Sequence, residues 1–334
     1  TQPLAEAVVM RIYAADGGAS QPVADAAYAK SVRDVEYHTR YLAEALWAND
    51  VQLFLNYMDW AAELFTALGF PDSMLVGTLG QMQAEMHTRF SSPQLDAIDS
   101  FLIAAMTRLE TSHPSCSQIE ANQPYAELAI EYLRLLLDGQ RVDATRLILS
   151  AVQRGVPVAD IYLHVFQSTQ REIGRLWQIN QLSVAQEHYA TAATQFVMAQ
   201  LYPYIFAGSR CQHRLVATSV GNELHELGVR MVADFFEMAG WDTYYLGANT
   251  PAASVVSAVS NYRADVLAIS ATLTPHIAQV VDLIGETRRL SPPLVILVGG
   301  FPFNISPSLW QQVGADGTAP DARSAVELAE RLLA

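Results

Sequence analysis

At Cys211 the hydrophobic period of the chain changes, and this change constrains the fold more than any other feature. Upstream, apolar residues recur at helical spacing. Downstream, the short β-rich runs 215–220, 243–246, 266–269 and 294–298 alternate with helical stretches. Strand–helix alternation at this spacing predicts a doubly wound parallel α/β sheet. A chain of 334 residues also exceeds the usual size of one core, so more than one domain is expected.

The helical part divides in two. Val32, Val35, His38, Leu42, Ala45 and Leu46 fall three or four apart and share one face. They predict a helix of about seven turns, ending near Asn49-Asp50. Phe54, Met58, Ala61 and Phe65 mark a second helix, closed by Gly69 and Pro71. Further helices are expected over 73–90 and 93–110. Gly17-Gly18-Ala19-Ser20-Gln21-Pro22 reads as a turn, and 112–117 as a linker. From 124 to 206 the pattern is helical again, with breaks at Asp138-Gly139, Gly155-Val156-Pro157 and Asn180. Four helices with short connections predict an antiparallel bundle. The expected domains are a helical one over 1–117, the bundle over 118–208 and the sheet over 209–334.

Composition narrows the partners. The net charge of −14 repels nucleic acid, and the densest basic spot is only Arg288-Arg289, so direct nucleic-acid binding is not expected. No apolar run reaches the roughly 18 residues of a membrane span, and Thr1 to Ala15 lack the pattern of a signal peptide. Cys116 and Cys211 stand far apart without CxxC spacing, which argues against a disulfide framework or structural zinc. The expected compartment is a reducing cytoplasm.

The candidate site lies in the turn after the first strand run, Gly221-Asn222-Glu223-Leu224-His225-Glu226-Leu227-Gly228. A histidine there stands at the carboxyl edge of the sheet, where open α/β folds bind ligands. Its imidazole can hold a metal by one nitrogen while a carboxylate, here Glu223, orients the other. After the second strand come Gly247 and Thr250-Pro251, with Thr250 placed to cap the next helix. Ser270 and Thr272 follow the third strand. Gly299-Gly300 follow the fourth, where paired glycines let backbone approach a ligand.

The spacing Glu223-x-His225-x-x-Gly228 resembles the D/E-x-H-x-x-G signature of cobalamin-binding domains, which have a flavodoxin-like sheet. The resemblance implies that His225 is the lower axial ligand of cobalt. It also implies that Glu223, Gly228, Gly247, Thr250, Ser270, Thr272, Gly299 and Gly300 take part in holding the cofactor. In the bundle, Trp177 is followed ten residues later by Glu187-His188. This W-x9-EH spacing resembles the cap of CarH-type light-sensing regulators, in which these residues shape the pocket over the adenosyl group of adenosylcobalamin. Those regulators place a histidine after the tryptophan; here it is Gln178, a poor cobalt ligand.

The acidic, aromatic-rich N-terminal segment resembles that of the photocobilins, which bind biliverdin as well as cobalamin. The rings of Tyr37, His38, Tyr41, Trp47, Tyr57 and Trp60 would line a bilin surface, with Arg40 placed to meet a propionate. Cys116 falls in the linker, so a thioether-linked bilin is not expected. The implied function is a light sensor rather than an enzyme. Photolysis of the cobalt–carbon bond would change conformation or oligomeric state, and the signal would pass through self-association or a separate partner. A corrinoid methyl carrier of a methyltransferase system is the main alternative. A cobalamin storage or trafficking module is the third.

Overall fold

A computed structural model describes residues 1–15, 26–71, 73–111, 116–206, 210–290 and 293–334. The expected turn over Gly17–Pro22 lies outside them, as do most of the linker at 112–117 and the expected boundary at 208. The chain forms two compact units, Thr1–Pro114 and Ser115–Ala334.

The first unit contains α1 (Gln2–Ala15), α2 (Ala26–Trp47), α3 (Val51–Ala67), α4 (Ser73–Arg89) and α5 (Gln94–Leu109). The stripe Val32, Val35, His38, Leu42, Ala45 is buried along α2. Asp50 caps α3 by accepting the Gln52 N–H. Gly69, at φ +81°, ends it in the left-handed conformation expected of glycine at a helix end. The helix α1 was not foreseen from the sequence. Its buried Ala5, Val8 and Val9 nonetheless follow helical spacing.

In the second unit the bundle consists of Ala126–Leu137, Arg141–Gln153, a long helical run, and Val184–Gln200. The long run passes from Val158–Asp160 through a π-helical turn, Ile161–Phe166, into Gln167–Gln178. The expected breaks fall on left-handed residues: Gly139 at +72°, Gly155 at +93° and Asn180 at +57°. A capping box, Ser183 with Gln186, starts the last bundle helix.

The sheet contains β1 (Arg214–Ser219), β2 (Asp242–Gly247), β3 (Val266–Ser270), β4 (Val295–Gly299) and β5 (Gly317–Thr318). Its strands are all parallel, in the order β2-β1-β3-β4-β5. This is the doubly wound order with the first strand beside a switch point. The four expected strands are present. The fifth, only two residues long, carries no pattern that a sequence window could detect.

Bundle and sheet share one core rather than two. Tyr132, Tyr162 and Phe166 of the bundle belong to the same buried cluster as Phe235, Phe236 and Trp241 of the sheet. Helix Leu227–Met238 supplies the contact: Phe235 meets Tyr162 edge-on, with ring centroids 6.1 Å apart. Beside it the Tyr162 hydroxyl donates to the buried Asp234 carboxylate at 2.8 Å. The register sets Ser219 level with Ser270, and Ser270 level with Gly299, along the carboxyl edge.

Candidate cobalamin site

The loop between β1 and helix Leu227–Met238 is built around one carboxylate. Glu223 is fully buried. Its Oε1 accepts the backbone N–H of His225 at 3.0 Å and the His225 Nδ1 at 2.5 Å. Its Oε2 accepts Thr272 N–H at 2.7 Å, Leu273 N–H at 3.2 Å and His276 Nδ1 at 3.0 Å. Burial alone would push this carboxyl up, but the hydrogen bonds from His225 and His276 outweigh it and hold it well below the ordinary carboxylate range. Glu223 is therefore ionised, and both imidazoles present Nδ1–H to it.

That arrangement decides which His225 nitrogen is free. With Nδ1 bound to Glu223, Nε2 carries the available lone pair, on a side chain 58% exposed at the sheet edge. The pKa of His225 is raised, first by the hydrogen bond to Glu223 and also by the charges of Glu223 and Glu187. Glu187, whose charge is the smallest of these contributions, belongs to the bundle. The Glu187 carboxylate also accepts the Thr191 hydroxyl and the His188 Nδ1. His188 is largely exposed. Trp177 is half-buried against the shared core, and Gln178 is buried.

Beside His225, Glu226 ties the two layers together. Its Oε1 accepts Gln195 Nε2 of the bundle at 2.8 Å. Its Oε2 accepts the Tyr245 hydroxyl at 3.0 Å and the Ala248 N–H at 3.1 Å. Gly247, at φ +82°, lies against this same carboxylate.

The other expected positions fall around this edge in different ways. Thr272 contributes its backbone N–H to Glu223. Gly300, at φ +105°, is required by the protein's own backbone, since a Cβ there would come within 2.0 Å of the Ala271 carbonyl oxygen. Gly228 and Gly299 face open space. The expectation that Thr250 caps the next helix is corrected: Pro251 occupies the N-cap position, and the Thr250 hydroxyl turns back to the Leu246 carbonyl at 3.4 Å. Pro251 brings no N–H and adopts an extended ψ, so the helix begins only at Ala252. His276 was not singled out from the sequence. It follows no ligand spacing, and only its place after β3, at the same edge, could have suggested it.

In the first unit, His38 lines a cavity of about 360 Å³ together with Tyr13, Asp34, Val35, Phe65 and Met74. Its Nδ1 lies 2.8 Å from the Tyr57 hydroxyl, and burial lowers its pKa to about 4, so it is neutral at pH 7. Tyr41 stacks on Tyr57 with ring centroids 3.6 Å apart. Tyr41 and Arg40 are not on the cavity wall, and Arg40 is exposed.

A cobalt held in a corrin fits the second-unit site. The macrocycle supplies four nitrogens, so the protein needs to offer only one imidazole with its other nitrogen pinned. Among the described residues no group of three or more His, Cys, Asp or Glu could hold a metal unaided. Comparison with known proteins agrees. Residues 213–327 match the family described as B12 binding domain, and residues 128–202 match a second family of the same description. Bundle and sheet thus each match a cobalamin-binding domain. A corrinoid protein of Desulfitobacterium hafniense is 25% identical over 210 residues, 61% of this chain and 96% of that protein. The HTH-type transcriptional repressor CarA of Myxococcus xanthus is 29% identical over 119 residues, 36% of this chain and 41% of the repressor. The solved monomethylamine corrinoid protein of Methanosarcina barkeri shares the fold, with a TM-score of 0.56 at 20% identity over 63% of this chain and 100% of its own. Among the described residues no helix is long and apolar enough to cross a membrane.

Proposed function

We propose that this protein is a corrinoid carrier in which His225 Nε2 would hold the cobalt of cobalamin and the helical bundle would shield the group that the cofactor carries. The observation that carries this reading is the buried Glu223 carboxylate, which pins His225 Nδ1 and leaves Nε2 at the sheet edge. The length of the likeness to a corrinoid protein, 210 residues and 96% of that protein, supports the carrier over other uses of the same domain. When bound, cobalamin supplies a cobalt–carbon bond from which a nucleophile takes the carbon or which light cleaves. The chain's own part is to fix the imidazole, and to hold or release the bundle through Gln195 and Glu226. A separate methyltransferase is the partner this reading requires.

A second reading, favoured by a specific observation, is a light sensor that uses adenosylcobalamin. Glu187 acts on His225 from the bundle, in the Glu-His pair that follows Trp177 at the sensor spacing. The likeness to a transcriptional repressor, CarA, supports a regulatory use of the same domain. In this reading the cavity beside His38 accepts biliverdin, and loss of the adenosyl group changes self-association or contact with a signalling partner.

One experiment separates the two. The purified protein is loaded with methylcobalamin or with adenosylcobalamin, and absorbance and mass are recorded in the dark and after illumination. Retention of methylcobalamin, transfer of its methyl group to an acceptor and constant mass support the carrier. Preferential retention of adenosylcobalamin and a change of mass in light support the sensor. If neither cobalamin is retained, both readings fall.

A further inference from the structure

The carboxylate that orients His225 serves a second histidine. His276 ends the short 3-10 turn Thr274–His276 that follows β3, and its side chain is only 12% exposed. The turn is closed by the His276 N–H on the Leu273 carbonyl at 2.9 Å. It directs the ring to Glu223 Oε2, on the opposite side of the carboxylate from His225. Five N–H groups thus converge on a carboxylate with about four lone-pair sites. Three are backbone amides that the loop fold places there in any case. His276 is the remaining side-chain competitor of His225.

We infer that His276 is a positioning residue for the cobalt ligand: by donating Nδ1–H to Glu223, it fixes the carboxylate's rotation and draws off part of the charge that Glu223 exerts on His225. The inference rests on the proposed role of His225. A carboxylate bound to the far nitrogen of a ligating imidazole raises the basicity of the ligating nitrogen, and any further donor on that carboxylate reduces the effect. The site is buried, so water does not replace a lost donor freely, and the redistribution is felt at His225. Without His276, Oε1 pulls harder on the His225 Nδ1 proton, and Nε2 becomes a stronger donor to cobalt. His276 therefore sets how readily the lower ligand lets go.

The test compares His276→Leu, which removes the donor, with His276→Asn, whose amide N–H can replace it. In the ligand-free full chain, labelled at histidine nitrogen, the His225 Nδ1–H proton resonance should move downfield in the leucine variant. It should stay near the wild-type position in the asparagine variant, with His225→Ala providing the assignment. In protein loaded with cob(II)alamin, the axial nitrogen splitting of the electron paramagnetic resonance spectrum should increase in His276→Leu and be restored in His276→Asn. His276→Ala gives the same loss of donor if the leucine variant fails to fold. An unmoved proton resonance in the donor-less variant, or an equal shift in both variants, overturns the inference and leaves His225 ligation standing. Absence of axial nitrogen splitting in the wild-type protein overturns the ligation itself, and with it this inference.

Discussion

At the scale of single residues, the site depends on one buried charge and one strained glycine. Glu223 has a pKa held below its ordinary value of 4.5, so its stabilising effect is complete above that value and is lost as pH falls through the lower, folded-state value. Glu223→Gln should therefore flatten the acid limb of stability below about pH 5, and cost about 3 kcal/mol at pH 7 by leaving N–H groups poorly paired. Urea unfolding of both proteins from pH 3 to 7 checks this. An acid limb unchanged in the variant would show that the lost stability comes from other carboxylates. The two adjacent glycines separate cleanly. A Cβ at Gly300 meets backbone at 2.0 Å in a left-handed conformation, whereas one at Gly299 meets nothing within 4 Å. Gly300→Ala should destabilise by about 3 kcal/mol or more, and Gly299→Ala should stay within about 0.5 kcal/mol of wild type. Equal effects in thermal melts would contradict the geometry. The His225–Glu223 pair could be read in the sequence because its partners lie two positions apart. His276 could not, since Glu223 and His276 meet only after β3 pairs with β1.

At the scale of elements, amphipathic spacing and breakers were legible, while features set by tertiary contact were not. The stripe along α2 and the turns at Gly139, Gly155 and Asn180 follow from local chemistry. The π-helical turn Ile161–Phe166 has no such local cause. It occurs where the bundle meets helix Leu227–Met238, and it presents Tyr162 to Asp234. Burial raises the Asp234 pKa to about 6, against the hydrogen bond from Tyr162. For a carboxyl raised in this way, the neutral form favours folding at low pH, and that advantage is lost as pH rises through 6. Asp234→Asn keeps an acceptor for Tyr162 and removes the buried charge. It should stabilise the second unit above pH 6 by up to about 3 kcal/mol and have little effect near pH 4. Unfolding curves at pH 4.5 and pH 7.5 test the sign. A variant less stable at pH 7.5 would mean that the charged form of Asp234 holds bundle and sheet together.

At the scale of the whole molecule, the change of hydrophobic period at Cys211 marks where the sheet begins but not where an independent body begins. Tyr162, Phe166, Phe235 and Trp241 lie in one cluster, so bundle and sheet form one compact unit from Ser115 to Ala334. The contacts that define the site come from within that unit: Glu223 with His225, Thr272, Leu273 and His276, and Glu226 with Gln195. The corrinoid relative from Desulfitobacterium hafniense aligns over 210 residues and 96% of its own length, which is close to the size of this unit. A chain reduced to residues 115–334 should therefore fold, bind one equivalent of cobalamin, and show the absorbance spectrum of the complete protein. The cavity beside His38 belongs to the other unit and would be lost with it. Biliverdin added to the shortened chain should give no bound absorbance even if the complete protein gives one. Titration of both chains with cobalamin and with biliverdin, followed by gel filtration, measures these outcomes separately. Loss of cobalamin binding on shortening would mean that the first unit helps to build the cobalt site. Retention of biliverdin would place the bilin on the bundle or sheet and remove any role for the His38 cavity.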